Sequence, residues 1–158
     1  KVMALAEFME YGEAYARDTV SNAQAFAEAL ASEGFDVLAE SRGYTASHQV
    51  LTRHGALDSG AGARAAQRLE EAGIITNMNM LPGDTKALSP SGLRLGVQEL
   101  TRVGFTNDDM KDVARFYARV LLNEEDTKRV RQDVQALKAE RQIIRYCFNE
   151  DDLPGYPE

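Results

Sequence analysis

Between Ala4 and Ser32 the chain is rich in Ala and Glu and free of Pro, and Val20, Ala23, Phe26, Ala27 and Leu30 fall on one helical stripe. This pattern predicts one long amphipathic helix. Gly34 follows at once, where a left-handed residue ends a helix, and Phe35 to Ala39 then reads as a short strand. A helix feeding a strand opens an α/β layer.

Ser47 to Thr52 reads as a second strand, and the glycine-containing turn from Asp58 to Gly62 leads into a helix over Ala63 to Ala72, closed by Gly73. Ile74 to Thr76 and Leu93 to Leu95 are two further candidate strands. Between them runs a loop with Pro82, Gly83, Pro90 and Gly92, long for a connection inside one domain and therefore a place to look for function. Asn107 reads as an N-cap, with Asp108 and Asp109 in the first turn and Val113, Phe116, Tyr117 and Val120 as the apolar face. A more polar helix comes next, its thin stripe of Val130, Val134 and Leu137 running on to Arg141. The expected organisation is a long helix over 1–33, a small α/β domain over 34–148 and an acidic, irregular tail over 149–158.

A chain of 158 residues, 44% hydrophobic and 27% charged, suits one domain with one core. The net charge of −7, with basic residues interleaved among acids, argues against a nucleic-acid surface. Cys147 is the single cysteine, which excludes an internal disulfide and a cysteine-based zinc cluster. No apolar run approaches the roughly 20 residues that span a bilayer, and no basic region precedes a continuous apolar stretch at the N-terminus. The cytoplasm is the expected compartment, with neither membrane nor nucleic acid as partner.

Candidate chemistry concentrates in Ser89-Pro-Ser-Gly-Leu-Arg-Leu-Gly96, which continues as Val97-Gln-Glu-Leu-Thr-Arg-Val-Gly-Phe105. This run puts Arg94 on a short strand between two glycines, beside a loop able to approach a ligand closely. An Arg so placed either grips a carboxylate through two parallel hydrogen bonds or is tied to a structural Asp or Glu. The residues alone leave both open, and the second arrangement is the commoner.

The run resembles the Ser-Gly-Ile/Leu-Arg-Ile/Leu-Gly-Thr-Pro-Ala-Leu-Thr-x-Arg-Gly-Phe signature of serine hydroxymethyltransferases, agreeing in order at Ser91, Gly92, Arg94, Gly96, Leu100, Thr101, Gly104 and Phe105. Asn22 to Leu30 with Glu33-Gly-Phe35, Gly43 to His48, and Leu69 to Asn79 are also similar to that family, so the likeness runs from about Leu5 to Val120. The resemblance implies the small C-terminal domain of a fold-type I pyridoxal-phosphate enzyme: a small sheet covered by helices, with the long N-terminal helix bridging to a larger domain. It further implies that Arg94 anchors the α-carboxylate of glycine, serine or threonine, that the intact enzyme makes or breaks a Cα–Cβ bond, and that it is a homodimer or tetramer.

The family's Schiff-base motif, Thr-Thr-His-Lys-Thr, is not in this sequence. Lys86, Lys111, Lys128 and Lys138 sit in charged stretches, so the expectation is that this chain alone has no catalytic residue, binds no pyridoxal phosphate and is inactive. Two departures bear on the acceptor. Pro82 is followed by Gly83, where bacterial members carry a side chain that contacts folate, and Gly96-Val-Gln-Glu-Leu-Thr101 lacks the family's Thr-Pro pair. Hydroxymethyl transfer with tetrahydrofolate therefore stands beside a folate-independent threonine aldolase or transaldolase, and beside a non-catalytic binding or assembly domain. His48 and His54 share a strand face by spacing but make a poor metal site without a third ligand. The family likeness suggests a structural hydrogen-bonding role for His48, and Glu124, Glu125, Asp126, Asp151 and Asp152 read as solvated surface acids.

Overall fold

The computed structural model describes residues 2–141 and 143–149. Its elements are α1 (Val2–Ser32), β1 (Asp36–Val37), β2 (Gln49–Arg53), α2 (Ala61–Glu71), β3 (Asn77–Asn79), β4 (Gly92–Gly96), α3 (Gln98–Arg102), α4 (Asn107–Leu121) and α5 (Thr127–Ala139). The strands form one antiparallel sheet in the order β1-β2-β4-β3. Helices α1 and α2 cover one face of it, with α4 packed on both and α5 on α2 and α4. This is the helix-covered small sheet with a long leading helix, in its antiparallel, α+β form.

Helix α1 turns Ala23, Phe26, Ala27 and Leu30 into the core, as its stripe predicts, but Thr19 takes the buried place expected of half-buried Val20. It ends where Gly34 adopts φ 101° and the Phe35 amide donates back to the Leu30 carbonyl. The first turns of α1 are uncovered: Val2, Leu5, Phe8 and Met9 are all largely exposed.

Helix α4 starts one position before the expected cap. Thr106 is its N-cap, and its amide donates to Asp109 Oδ2 at 2.7 Å, a bond closed by the side chain three residues on. Asn107 instead pairs with Ser21 of α1, Nδ2 to Oγ at 3.0 Å, and Arg141 reaches Asp109 Oδ1 at 2.7 Å. Burial raises the Asp109 carboxyl, but hydrogen bonds from Arg141 and Thr106 outweigh it and hold it below the usual carboxylate range.

Two expectations need correction. Ile74 to Thr76 is not a strand: after Gly73 this stretch pairs with nothing in the sheet, Ile75 is 86% exposed, and the strand forms later, where Asn77 meets Arg94 and Asn79 meets Gly92. Pairing with β4 decides the position against the weak strand propensity of Asn. The five-residue helix α3 was not expected from the pattern at all. Of the acidic tail expected over 149–158, residues 150–158 lie outside the described residues.

Asn22 binds these parts together. Its Nδ2 donates to Thr101 Oγ1 at 2.9 Å and to the Phe105 carbonyl at 3.0 Å, both buried. Asn22→Ala leaves those acceptors unpaired and is expected to cost about 1–3 kcal/mol in urea unfolding, against within about 0.5 kcal/mol for exposed Asn107→Ala. Equal midpoints for the two variants would remove Asn22 from this role.

Candidate functional site

Strand β4 places Arg94. Leu93 and Leu95 are 0% and 3% exposed against the helices, so the period of two turns Gly92, Arg94 and Gly96 to the other, open face. Across the sheet Arg94 stands between Leu51 of β2 and Asn77 of β3. Its side chain is exposed, and no carboxylate of the described residues lies within ion-pair distance of it. Among the described residues, then, Arg94 lacks the tie to a structural Asp or Glu that is the commoner expectation from residues alone. The open-face arginine that is so tied is Arg53, paired with Asp36 at 3.2 Å.

Both glycines beside Arg94 have ordinary strand backbone, so a side chain at either position would be opposed by its neighbours and not by conformation. A Cβ on Gly92 would run into the Leu81 side chain, and one on Gly96 would lie 2.6 Å from Gln98 Oε1. Leu81 and Gln98 thus flank Arg94 along its strand. Arg94, Asn77, Gly96 and Gln98 are among the residues that line a groove of about 680 Å³, which also takes in Leu95, Phe116 and Leu137 of the helix-covered side.

The loop carrying Leu81 is fixed by two carboxylates. Asp84 accepts from the amides of Asp58 (2.7 Å), Leu81 (2.9 Å) and Ser91 (3.0 Å) and from Ser91 Oγ (2.8 Å). Asp58 accepts in return from the Thr85 amide and hydroxyl and the Lys86 amide, each at 2.7 Å. Desolvation raises the Asp84 carboxyl, yet these donors hold it far below its ordinary range; the Thr85 hydroxyl and its neighbours likewise lower Asp58. Sequence reasoning passed over both aspartates, since a lone Asp after Pro-Gly gives no sign of its distant partners. Gly83, between them, has φ 102°, and a Cβ there would meet Leu57 Cδ1 at 2.9 Å.

The two histidines do not form a pair. The ring of His48 is exposed and its contribution is a main-chain carbonyl that accepts from Val97, which corrects the expected side-chain role. His54 is tucked against Phe35 (ring centroids 6.0 Å) with Nε2 2.9 Å from Thr52 Oγ1. Among the described residues no group of three or more His, Cys, Asp or Glu is placed to hold a metal ion.

A family model described as serine hydroxymethyltransferase matches residues 1–117. The chain belongs to the serine hydroxymethyltransferase family. It is 55% identical over 151 residues to the serine hydroxymethyltransferase of Thermococcus gammatolerans, covering 94% of this chain and 35% of that protein. The counterpart from Korarchaeum cryptofilum is 48% identical over 158 residues, 98% of this chain and 36% of its own length. Among solved structures, the L-threonine transaldolase of Pseudomonas fluorescens in its internal aldimine state superposes with a TM-score of 0.84 at 30% identity, over 95% of this chain and 34% of that one. The chain thus spans about a third of the length of the relatives it matches.

The family implies pyridoxal phosphate, and the described residues do not fit it. Lys86, Lys111, Lys128 and Lys138 are all exposed, with Lys111 tied to Asp108 at 2.8 Å, and none occupies the enclosed position that lowers an amine's pKa for Schiff-base formation. What these residues do offer is a cation on an open sheet face, a shape-limited strand beside it and a rigid loop at one end.

Burial pushes the His54 imidazole down to about 4 from 6.5, only partly opposed by the charge of Asp36. Between these values the unfolded chain binds the extra proton, so stability rises with pH across that window and is lost as pH falls from about 6.5 to about 4. At about 1.4 kcal/mol per pH unit the loss reaches up to roughly 3 kcal/mol. Denaturant titrations between about pH 5 and 6.5, above the range where the unfolded Asp carboxylates titrate, are expected to show this slope in the native chain and a much smaller one in His54→Gln; an unchanged slope in the variant would assign it to other groups.

Proposed function

We propose that this chain is the C-terminal domain of a pyridoxal-phosphate-dependent hydroxymethyltransferase that interconverts glycine and a β-hydroxy amino acid such as serine, and that Arg94 holds the amino acid's α-carboxylate. The observation that carries the reading is the exposed Arg94 on the open sheet face, with no carboxylate partner among the described residues, within the run that resembles the family signature. A guanidinium so placed keeps its planar pair of donors for a ligand carboxylate. Fixed at the centre of a paired strand, it orients the amino acid as well as binding it, which is what alignment of the bond to be made or broken requires.

Cofactor and chemistry belong, in this reading, to the remainder of the protein, which the stretch over 1–33, with α1, joins to the domain over 34–148. The uncovered apolar start of α1 supports that placement, since Val2 is 82% and Met9 88% exposed. The described residues include no helix long and apolar enough to cross a membrane. A cytoplasmic homodimer or tetramer working in one-carbon metabolism completes the proposal.

A second reading rests on Gly83. At φ 102°, with Leu57 filling the space a Cβ would need, this position has no side chain to offer to tetrahydrofolate. A folate-independent threonine aldolase or transaldolase, the latter also the activity named for the superposable Pseudomonas fluorescens structure, is the form of the reaction this favours. Turnover of threonine with an aldehyde by the intact protein, folate omitted, separates the two readings.

Arg94→Ala in the intact protein is expected to lower kcat/KM by two to three orders of magnitude, corresponding to about 3–5 kcal/mol for leaving a carboxylate unpaired, with cofactor absorbance unchanged. Arg94→Lys restores only part, because an ammonium keeps the charge without the two-point contact. A variant that melts earlier but turns over normally would make Arg94 a brace of the fold and overturn the proposal.

A further inference from the structure

A carboxylate held by the two donors of an arginine fork has lone pairs left over, and in a closed site those need further donors. The surroundings of Arg94 offer one built for the purpose. Gln98 is the second residue after Gly96, and its side-chain amide folds back over the open face of Gly96. Gly96 stands two positions from Arg94 on that face, a separation of about 6.6 Å, close to the reach of the arginine side chain itself. Gln98, Arg94 and Gly96 line one groove.

Three features suit Gln98 to that purpose. Its main chain is fixed, because its carbonyl accepts from Tyr15 Oη of α1 at 2.9 Å and it follows fully buried Val97. Its amide occupies the space a Cβ at position 96 would take, with Oε1 and Nε2 at 2.6 and 3.3 Å from that point, so a side chain there would have to displace it. Gln98 is exposed, and among the described residues its amide has no hydrogen-bond partner, which leaves its donors open to a ligand.

We infer that Gln98 is a substrate-binding residue, donating its side-chain amide to the same α-carboxylate that Arg94 grips, with Gly96 present to let it do so. This rests on the assignment of Arg94 to the carboxylate. It also gives a chemical reason for Gln98 standing where the family signature has Pro. Amide and guanidinium together would specify a planar carboxylate over a smaller or monodentate anion.

The test uses the intact, cofactor-loaded protein, with glycine affinity measured by calorimetry and methylamine as a ligand that has the amine and no carboxylate. Gln98→Ala is expected to weaken glycine roughly ten-fold to a hundred-fold, the range for a hydrogen bond to a charged group, and to leave methylamine unchanged. Gly96→Ala is expected to act similarly by displacing the amide, and to add little in a Gln98→Ala background. Glycine binding within two-fold of the native protein in Gln98→Ala would overturn the inference, as would an equal loss for methylamine or a full additional loss from Gly96→Ala in the double variant. Arg94→Ala measured alongside separates the two levels: if it weakens glycine while Gln98→Ala does not, only the role of Gln98 falls, and if neither does, the carboxylate site falls with it.

Discussion

Strand β4 can sit in the sheet in one register only. Leu93 and Leu95 fill the core opposite Thr52 and Val50, and a slip of one residue would send both leucines to the open face and turn Arg94 inward. An unpaired guanidinium among Leu30, Leu69 and Val120 would cost far more than any hydrogen bond recovers. The hydrophobic demand of two leucines thus fixes where the cation stands. The same strand sets the approach of α2, because a Cβ on Gly62 would run into the Gly92 backbone and only a glycine lets helix and strand come so near.

The segment after β4 is tied to the long helix. Besides Asn22, Tyr15 reaches Gln98, and Arg102 pairs with Glu7 at 3.4 Å. The described part of the C-terminal segment lies across both: the Arg145 amide donates to the Arg102 carbonyl at 2.8 Å, Tyr146 Oη to Asp18 at 2.7 Å, and the Phe148 amide to Glu7 at 3.3 Å. Exposed ion pairs add little to stability on their own. Their value here is positional: with the Tyr15 hydrogen bond they hold α3 and Gln98, beside the proposed carboxylate site, against α1, the proposed bridge to the cofactor domain.

Much of this was legible in the sequence where one local pattern decides the outcome. The stripe of α1, its glycine stop and the alternation of Leu93, Arg94 and Leu95 each carry their own physical cause, and the signature run around Arg94 identified the family. Other features depend on partners far along the chain. Nothing near Asn77 announces a strand until β4 lies beside it, and nothing near Asp84 or Asp58 announces a clasp that spans some 27 positions. His54 read only as half of a poor metal pair, because its burial against Phe35 comes from the pairing of β1 with β2. Gln98 was visible only as a departure from the family pattern, and its placement over Gly96 needed coordinates.

In the proposed reading, the open face of β4 forms one half of an amino-acid site and the remainder of the protein supplies the other. A crystal structure of the intact protein with glycine bound tests that most directly. The prediction is a glycine carboxylate with both oxygens about 2.7–2.9 Å from nitrogens of Arg94, on the face opposite Leu93 and Leu95. A glycine carboxylate held by another cation, with Arg94 turned to solvent or paired to an acid of the larger domain, would contradict it.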